Sequence, residues 1–251
     1  MRSSAPLLAV ALAACVPNGP ASTDAGAPVA TSPTKAKAAL RPQQVGSVAR
    51  PTAASSPLGA GFTDSFERAG IGGDWRTTSD AWRIEGGRLC GKGVRNHPVW
   101  LARTLPDNVR IEFDAVSQSP EGDLKCEIFG DGASAATGAS YTDATSYLAI
   151  LGGWKNTFHV LARLNEHATD RHEMRILPGS DDERARPVAA GQAYHFKLER
   201  ADGKTLVWSV GDQTMFRFTD PEPLVGPGHD HFGFNDWDVP VCFDDVKVVP
   251  L

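Results

Sequence analysis

NVRIEFDAVSQSPEGDLKCEIFGDG, residues Asn108–Gly132, is the stretch whose reading decides the fold. Its first half alternates, with Val109, Ile111, Phe113 and Ala115 on one side and Arg110, Glu112 and Asp114 on the other. Successive side chains of an extended chain point to opposite faces, so a period of two marks a strand with one buried face and one wet face. Pro120-Glu121-Gly122 then turns the chain. A second run follows, with Leu124, Cys126 and Ile128 opposed to Lys125, Glu127 and Phe129, and Gly130-Asp131-Gly132 closes it. The stretch reads as two strands of one antiparallel sheet. Their wet face carries Glu112, Asp114, Lys125 and Glu127 and is the first place to look for chemistry.

The same grammar runs outward in both directions. Upstream, Phe62–Phe66 is a short edge strand, Trp82–Glu85 and Gly87–Cys90 form a hairpin about Gly86-Gly87, and Val99–Arg103 is a further strand. Downstream, Tyr147–Leu151 is apolar throughout, as a strand buried on both faces would be. Thr157–Arg163, His172–Leu177 and Tyr194–Arg200 are strand-like, and Thr205–Val210 pairs with Thr214–Phe218 across Gly211-Asp212-Gln213. Phe232–Asn235 and Val241–Val249 finish the chain. Residues 133–144 are small and polar and read as a long surface loop. No window of a dozen residues shows a helical period. The expectation is an all-β chain of about a dozen short strands in a two-sheet antiparallel β-sandwich.

The amino terminus is different in kind. Residues 1–15 are MRSSAPLLAVALAAC, a positive start followed by an apolar run too short for a permanent membrane span. Leu12-Ala13-Ala14-Cys15 resembles the bacterial lipobox. That resemblance implies diacylglyceryl transfer to Cys15, cleavage before it, and anchoring by several acyl chains. Val16 follows in place of an Asp, which points to the outer membrane of a Gram-negative envelope. Residues 16–60 are Ala, Pro, Ser, Thr and Gly with almost no large apolar side chains, and read as a disordered tether. The folded domain is expected over 61–251.

A formal charge of −5 without a basic stripe argues against nucleic acid as a partner. The sequence reads as a monomer. Of four cysteines, Cys15 is assigned to lipid. Cys90, Cys126 and Cys242 leave two readings open in an oxidising compartment: one disulfide with one spare thiol, or three buried thiols.

A family resemblance rests on Asp64-Ser-Phe-Glu-Arg68, Trp82-Arg-Ile-Glu-Gly-Gly-Arg-Leu89 and Val109-Arg-Ile-Glu-Phe-Asp-Ala115. Late in the chain it is carried by Leu206–Gln213, Asp220-Pro-Glu-Pro-Leu224, His231-Phe-Gly-Phe-Asn235 and Val241–Val248. In that order these segments resemble the concanavalin A-like lectin/glucanase superfamily, within it the LamG-like and keto-disaccharide-hydrolase-like jelly rolls. The resemblance implies that first and last strands pair, and that the concave sheet or its rim loops bind glycans, in some members with calcium.

Three chemistries are weighed on the residues. Glycoside hydrolysis needs two facing carboxylates. Laminarinase-like members of the superfamily supply them as E-[IL]-D-x-x-E on one strand. Here Glu127-Ile128-Phe129-Gly130-Asp131 lacks the middle acid and the second Glu, so Glu127, Asp131 and Glu166 stand as the candidate acids of an incomplete pattern. Sugar binding needs an apolar platform and bidentate polar groups. Gly152-Gly153-Trp154-Lys155-Asn156, with Arg163, Glu166 and His167 downstream and Asn235 and Trp237 late in the chain, fits that need. Metal sites are poorly supported. His229-Asp230-His231 places two imidazoles on one strand face without a third ligand. Calcium on the loop acids Asp123, Asp131, Asp143, Asp236 and Asp238 is the one cofactor the loops admit. The reading favours an exported, lipid-anchored protein that binds carbohydrate or cell-envelope material. Its alternatives are a glycoside or keto-disaccharide hydrolase with carboxylates on the concave face, and a structural surface protein.

Overall fold

The computed structural model describes residues 55–251. The readings of the export segment, of Cys15 and of most of the tether lie outside the described residues. Seventeen strands are present among those described. In chain order the first seven are β1 (Ser56–Pro57), β2 (Phe62–Asp64), β3 (Trp75–Thr77), β4 (Arg83–Glu85), β5 (Arg88–Gly91), β6 (Val99–Leu101) and β7 (Arg103–Thr104). Then come β8 (Val109–Ser117), β9 (Leu124–Gly130), β10 (Tyr147–Gly152), β11 (Phe158–Arg163) and β12 (His172–Arg175). The last five are β13 (Ala193–Arg200), β14 (Thr205–Val210), β15 (Gln213–Thr219), β16 (His231–Asn235) and β17 (Val241–Pro250).

They build the expected sandwich. One sheet has the order β12-β11-β10-β9-β16-β6-β3, and the other β15-β14-β13-β8-β17-β5-β4, with β2 added to β17. Pairing within both sheets is antiparallel, and β2, near the start of the described chain, pairs with the last strand, Phe62 opposite Val248. The small parallel pair of β1 with β7 begins inside the stretch read as tether, and Leu58 just beyond it is already buried. The core between the sheets is aromatic. Phe113 of β8 meets Phe196 at 5.0 Å within its own sheet and Phe234 of β16 at 4.9 Å across the core. Phe234 in turn stacks on Phe243 of β17 at 4.2 Å.

Two readings of the deciding stretch need correction. β8 and β9 do not pair. β8 lies between β13 and β17, and β9 lies between β10 and β16 in the opposite sheet. Pro120-Glu121-Gly122 therefore carries the chain from one sheet to the other. Alternation along a strand reports its faces, not its partners, which is why the sequence is silent on this point.

The second correction concerns the wet face. It exists on β8, where Arg110 pairs with Glu112 and Asp114 with His195 at the surface. On β9 it does not: Lys125 and Glu127 are buried. The 133–144 segment folds down over them, contributing Ala136, Tyr141 and Ala144 to a second small core with Leu148, Ile150, Val160 and Ala162. Trp100 packs beneath the same cover and donates its indole N–H to Ser134 O at 3.0 Å. Phe129 also departs from the alternation. It sits at φ 60° as the extra residue of a bulge opposite His231 and Phe232, and this turns its ring back into the main core.

Of the open cysteine readings, the disulfide is present. Cys90 and Cys242, opposite one another on β5 and β17, are joined, and Cys126 is a buried free thiol.

Candidate functional site

The site forms where β9 begins and β10 and β16 end. Asp123 precedes β9 in the left-handed region (φ 63°) and donates its backbone N–H to Gly152 O at 2.9 Å. Gly122 and Gly152 make this crossing close, since a Cβ on Gly122 would stand 2.5 Å from Gly152 O. After Gly152 the chain takes one left-handed turn, with Trp154, Lys155 and Asn156 at φ 50°, 56° and 60°. Such residues cost about 1–2 kcal/mol each, so a left-handed turn persists only where its surroundings hold it.

Asn156 does much of that holding. Its Nδ2 donates to Pro120 O and Val188 O, at 2.8 and 2.7 Å, and its Oδ1 accepts from Val188 N. Gly152 N–H donates to His159 Nδ1, and the other ring nitrogen of that histidine donates to Arg186 O. Burial holds the His159 imidazole neutral, with its pKa down to about 4, which keeps Nδ1 an acceptor.

The turn presents Trp154 to a cleft of about 530 Å³, within the range of small-ligand sites. Trp154, Glu166, His167 and Trp237 all line it, together with Asp123, Lys125 and Ser140. Trp237 is 36% exposed, one of the few large apolar side chains at the surface. The His167 ring stands edge-on to Trp154 at 5.6 Å. Arg171 places its guanidinium 4.3 Å from the Trp154 ring and donates to Glu166 O and to the Glu173 carboxylate.

The floor is ionic. Lys125 Nζ donates to Glu166 Oε2 at 2.9 Å and to Asn96 Oδ1 at 2.7 Å, and is 2% exposed. Burial alone would drive the ammonium toward neutrality. The neighbouring charges of Asp123 and Glu166 overcome it and hold Lys125 above the ordinary lysine range. Asp236 is fully buried and finds no protein donor for either carboxylate oxygen. Burial, and then the Asp123 carboxylate beside it, push Asp236 well above the carboxylate range.

The remaining sequence candidates fall elsewhere. Arg163 donates to Asp220 and to Glu222 O. Asn235 is buried and donates to Glu127 Oε1 at 2.7 Å. Glu127 lies under the 133–144 cover and also accepts from Tyr141 and Ser146. Asp131 caps its own turn by accepting from Ala133 N and Ser134 N. Of the three candidate acids only Glu166 reaches the cleft, so they form no facing pair.

Of the acids weighed for calcium, Asp123 stands beside Asp236 and shares the cleft with Asp238, while Asp131 and Asp143 cap turns outside it. Asp143 caps Thr137, and Asp238 stands on the cleft rim 4.0 Å from Arg95. Among the described residues no group of three or more His, Cys, Asp or Glu is placed to hold a metal ion. His229 and His231 are engaged with Thr145 O and with Ser55 Oγ. A smaller cleft of about 340 Å³ lies beside His159, Arg184, Arg186 and His195. Its arginines are committed to Asp182 and Glu183, and it has no exposed indole.

No protein-family model matches the chain, and no curated protein matches it. Solved structures do. The carbohydrate binding module CBM66 from Bacillus subtilis superposes with a TM-score of 0.50 at 17% identity, covering 70% of this chain and 95% of the module. The alginate lyase Aly36B superposes with a TM-score of 0.51 at 9% identity, covering 78% of this chain and 98% of the lyase. A variant of that lyase in complex with an alginate tetrasaccharide gives 0.51 at 10% identity, again over 78% and 98%. At these identities the likeness is one of fold.

Proposed function

We propose that this chain is an exported, lipid-anchored carbohydrate-binding protein and that the cleft lined by Trp154 and Trp237 is its glycan site. One observation carries the reading. Two tryptophans distant in sequence, one of them on a strained left-handed turn, line a single cleft whose floor is a fixed array of polar groups. Indoles offer the flat apolar faces on which sugar rings rest, and carboxylates, imidazole and hydroxyl supply the hydrogen bonds that orient them. Two neighbours in fold, a carbohydrate binding module and an enzyme captured with an oligosaccharide, support this reading by analogy of fold. The structural-protein alternative has no comparable feature behind it.

Replacing Trp154 or Trp237 with Ala is expected to weaken glycan binding roughly tenfold or more, the loss typical of a buried aromatic anchor. A glycan array followed by calorimetry on the hits measures this. Undiminished binding by both variants removes the cleft from consideration.

The anchor is supported by the Leu12-Ala13-Ala14-Cys15 run alone. It places the domain at the end of a tether in the outer membrane, facing envelope glycans. Metabolic labelling with palmitate is expected to tag the chain and to vanish in Cys15→Ser. Label that survives the substitution sinks the anchor.

A further inference from the structure

Resting on the glycan-binding reading of this cleft, we infer that it selects sugars bearing a free ammonium group, unacetylated amino sugars, over neutral sugars and over uronates. Four acids line the cleft, Glu121, Asp123, Glu166 and Asp238, against two lysines, Lys125 and Lys155. Three of these acids already hold a cation, Glu166 with Lys125, Glu121 with Lys155 and Asp238 with Arg95, which leaves Asp123 without a salt bridge among the described residues. The Lys125 side chain is 3% exposed and spends its donors on Glu166 and Asn96. Lys155 extends into solvent, 3.5 Å from Glu121.

An independent observation points the same way. Both indoles already attract cations in this structure: the Arg171 guanidinium lies 4.3 Å from the Trp154 ring and that of Arg95 5.9 Å from Trp237. An electron-rich face within about 6 Å of a cation gains electrostatically. A sugar ammonium entering here meets the nearly buried Asp123 carboxylate in a cleft walled by indoles that already attract cations. A bond between two charged partners is about twice as strong as a neutral one. A uronate would instead meet Asp123 as a like charge, an arrangement that interfaces use to reject partners.

The test is calorimetry of the full chain with length-matched oligomers of glucosamine, N-acetylglucosamine and alginate. It is run at pH 6 with EDTA, so that no divalent cation screens the acids. The expected result is that the glucosamine oligomer binds about tenfold tighter than its acetylated counterpart, as a charge-assisted bond implies. Alginate is expected to bind weakest. The preference should shrink as salt rises.

Asp123→Asn should abolish the preference. Asn tolerates the left-handed φ of 63°, and its Oδ1 still accepts from Trp237 N. Glu121→Gln, at an exposed position, should lower the preference a few-fold without touching the fold. Equal affinity for the acetylated oligomer, still lost in Trp154→Ala, overturns the charge selection and leaves glycan binding standing. No binding of any of the three oligomers overturns both.

Discussion

Lys125→Met is expected to destabilise the domain by about 3–5 kcal/mol, the range seen when one member of a buried ion pair is removed. Methionine fills the volume of the lysine stem, so the loss is one of charge. Without the ammonium, the nearly buried Glu166 carboxylate loses the 2.9 Å donor to its Oε2, and Asn96 Oδ1 loses its own donor at 2.7 Å. Asp123 and Glu166 then repel across a floor that water reaches poorly. At roughly 2–4 °C per kcal/mol for a domain of this size, the thermal midpoint should drop by about 10 °C.

A double-mutant cycle separates pair from packing. Lys125→Met with Glu166→Met should recover most of the loss, because a buried pair and an apolar isostere of it are often of similar stability. A single-variant loss under 1 kcal/mol, or a double variant no better than the single, sinks the account. The pair matters beyond stability. Glu166 is also the residue whose carbonyl accepts from Arg171, the cation lying over Trp154. Lys125 therefore pins the loop that builds one wall of the cleft, and its loss should weaken glycan binding as well as the fold.

How much of this was legible in the sequence depends on whether a feature is local. The faces of β8 follow from its alternation, and the double burial of β10 follows from its unbroken apolar run. The hairpin of β14 and β15 follows from its turn residues. Each of these is set by residues a few positions apart. The partner of β8 is not local, and the sequence reading pairs it with the wrong neighbour. The covering of Lys125 and Glu127 is not local either. Segment 133–144 is small and polar on average, but Ala136, Tyr141 and Ala144 punctuate it so that one side packs on the sheet, and averaged composition hides this.

The site shows the same division. Trp154, Glu166, His167 and Trp237 share one cleft, whereas Asn156, Arg163 and Asn235 are polar residues engaged within the protein. Residue type alone cannot tell the two groups apart. Asp123 enters the sequence reading only as an oxygen donor for calcium, and Lys125 only as a wet strand residue. The signal that would have marked Lys125 is the burial of its neighbours on both sides of the sheet, which needs the topology.

Glu127 gives the second large effect, and it is one of pH. Burial raises its carboxyl to about 7, against the hydrogen bonds from Ser146, Tyr141 and Asn235 that favour the ionised form. The ordinary value is 4.5, so between pH 4.5 and 7 the folded state holds a proton that the unfolded state has released. Stability owed to this group is therefore complete below pH 4.5 and lost as pH rises through 7, by roughly 3 kcal/mol in all. His159 acts with the opposite sign. Its pKa falls from 6.5 to about 4, so its contribution is lost as pH falls through that window. The two slopes overlap between pH 4.5 and 6.5 and largely cancel there, so the pH profile of the unaltered protein conceals both. Glu127→Gln keeps the shape and removes the titration. Denaturant unfolding of both proteins should show the variant gaining roughly 3 kcal/mol relative to the parent from pH 4.5 to 7, whatever constant offset its altered hydrogen bonds add. Parallel profiles across that window would mean that Glu127 stays ionised beneath its cover, held there by Lys125 and its three donors.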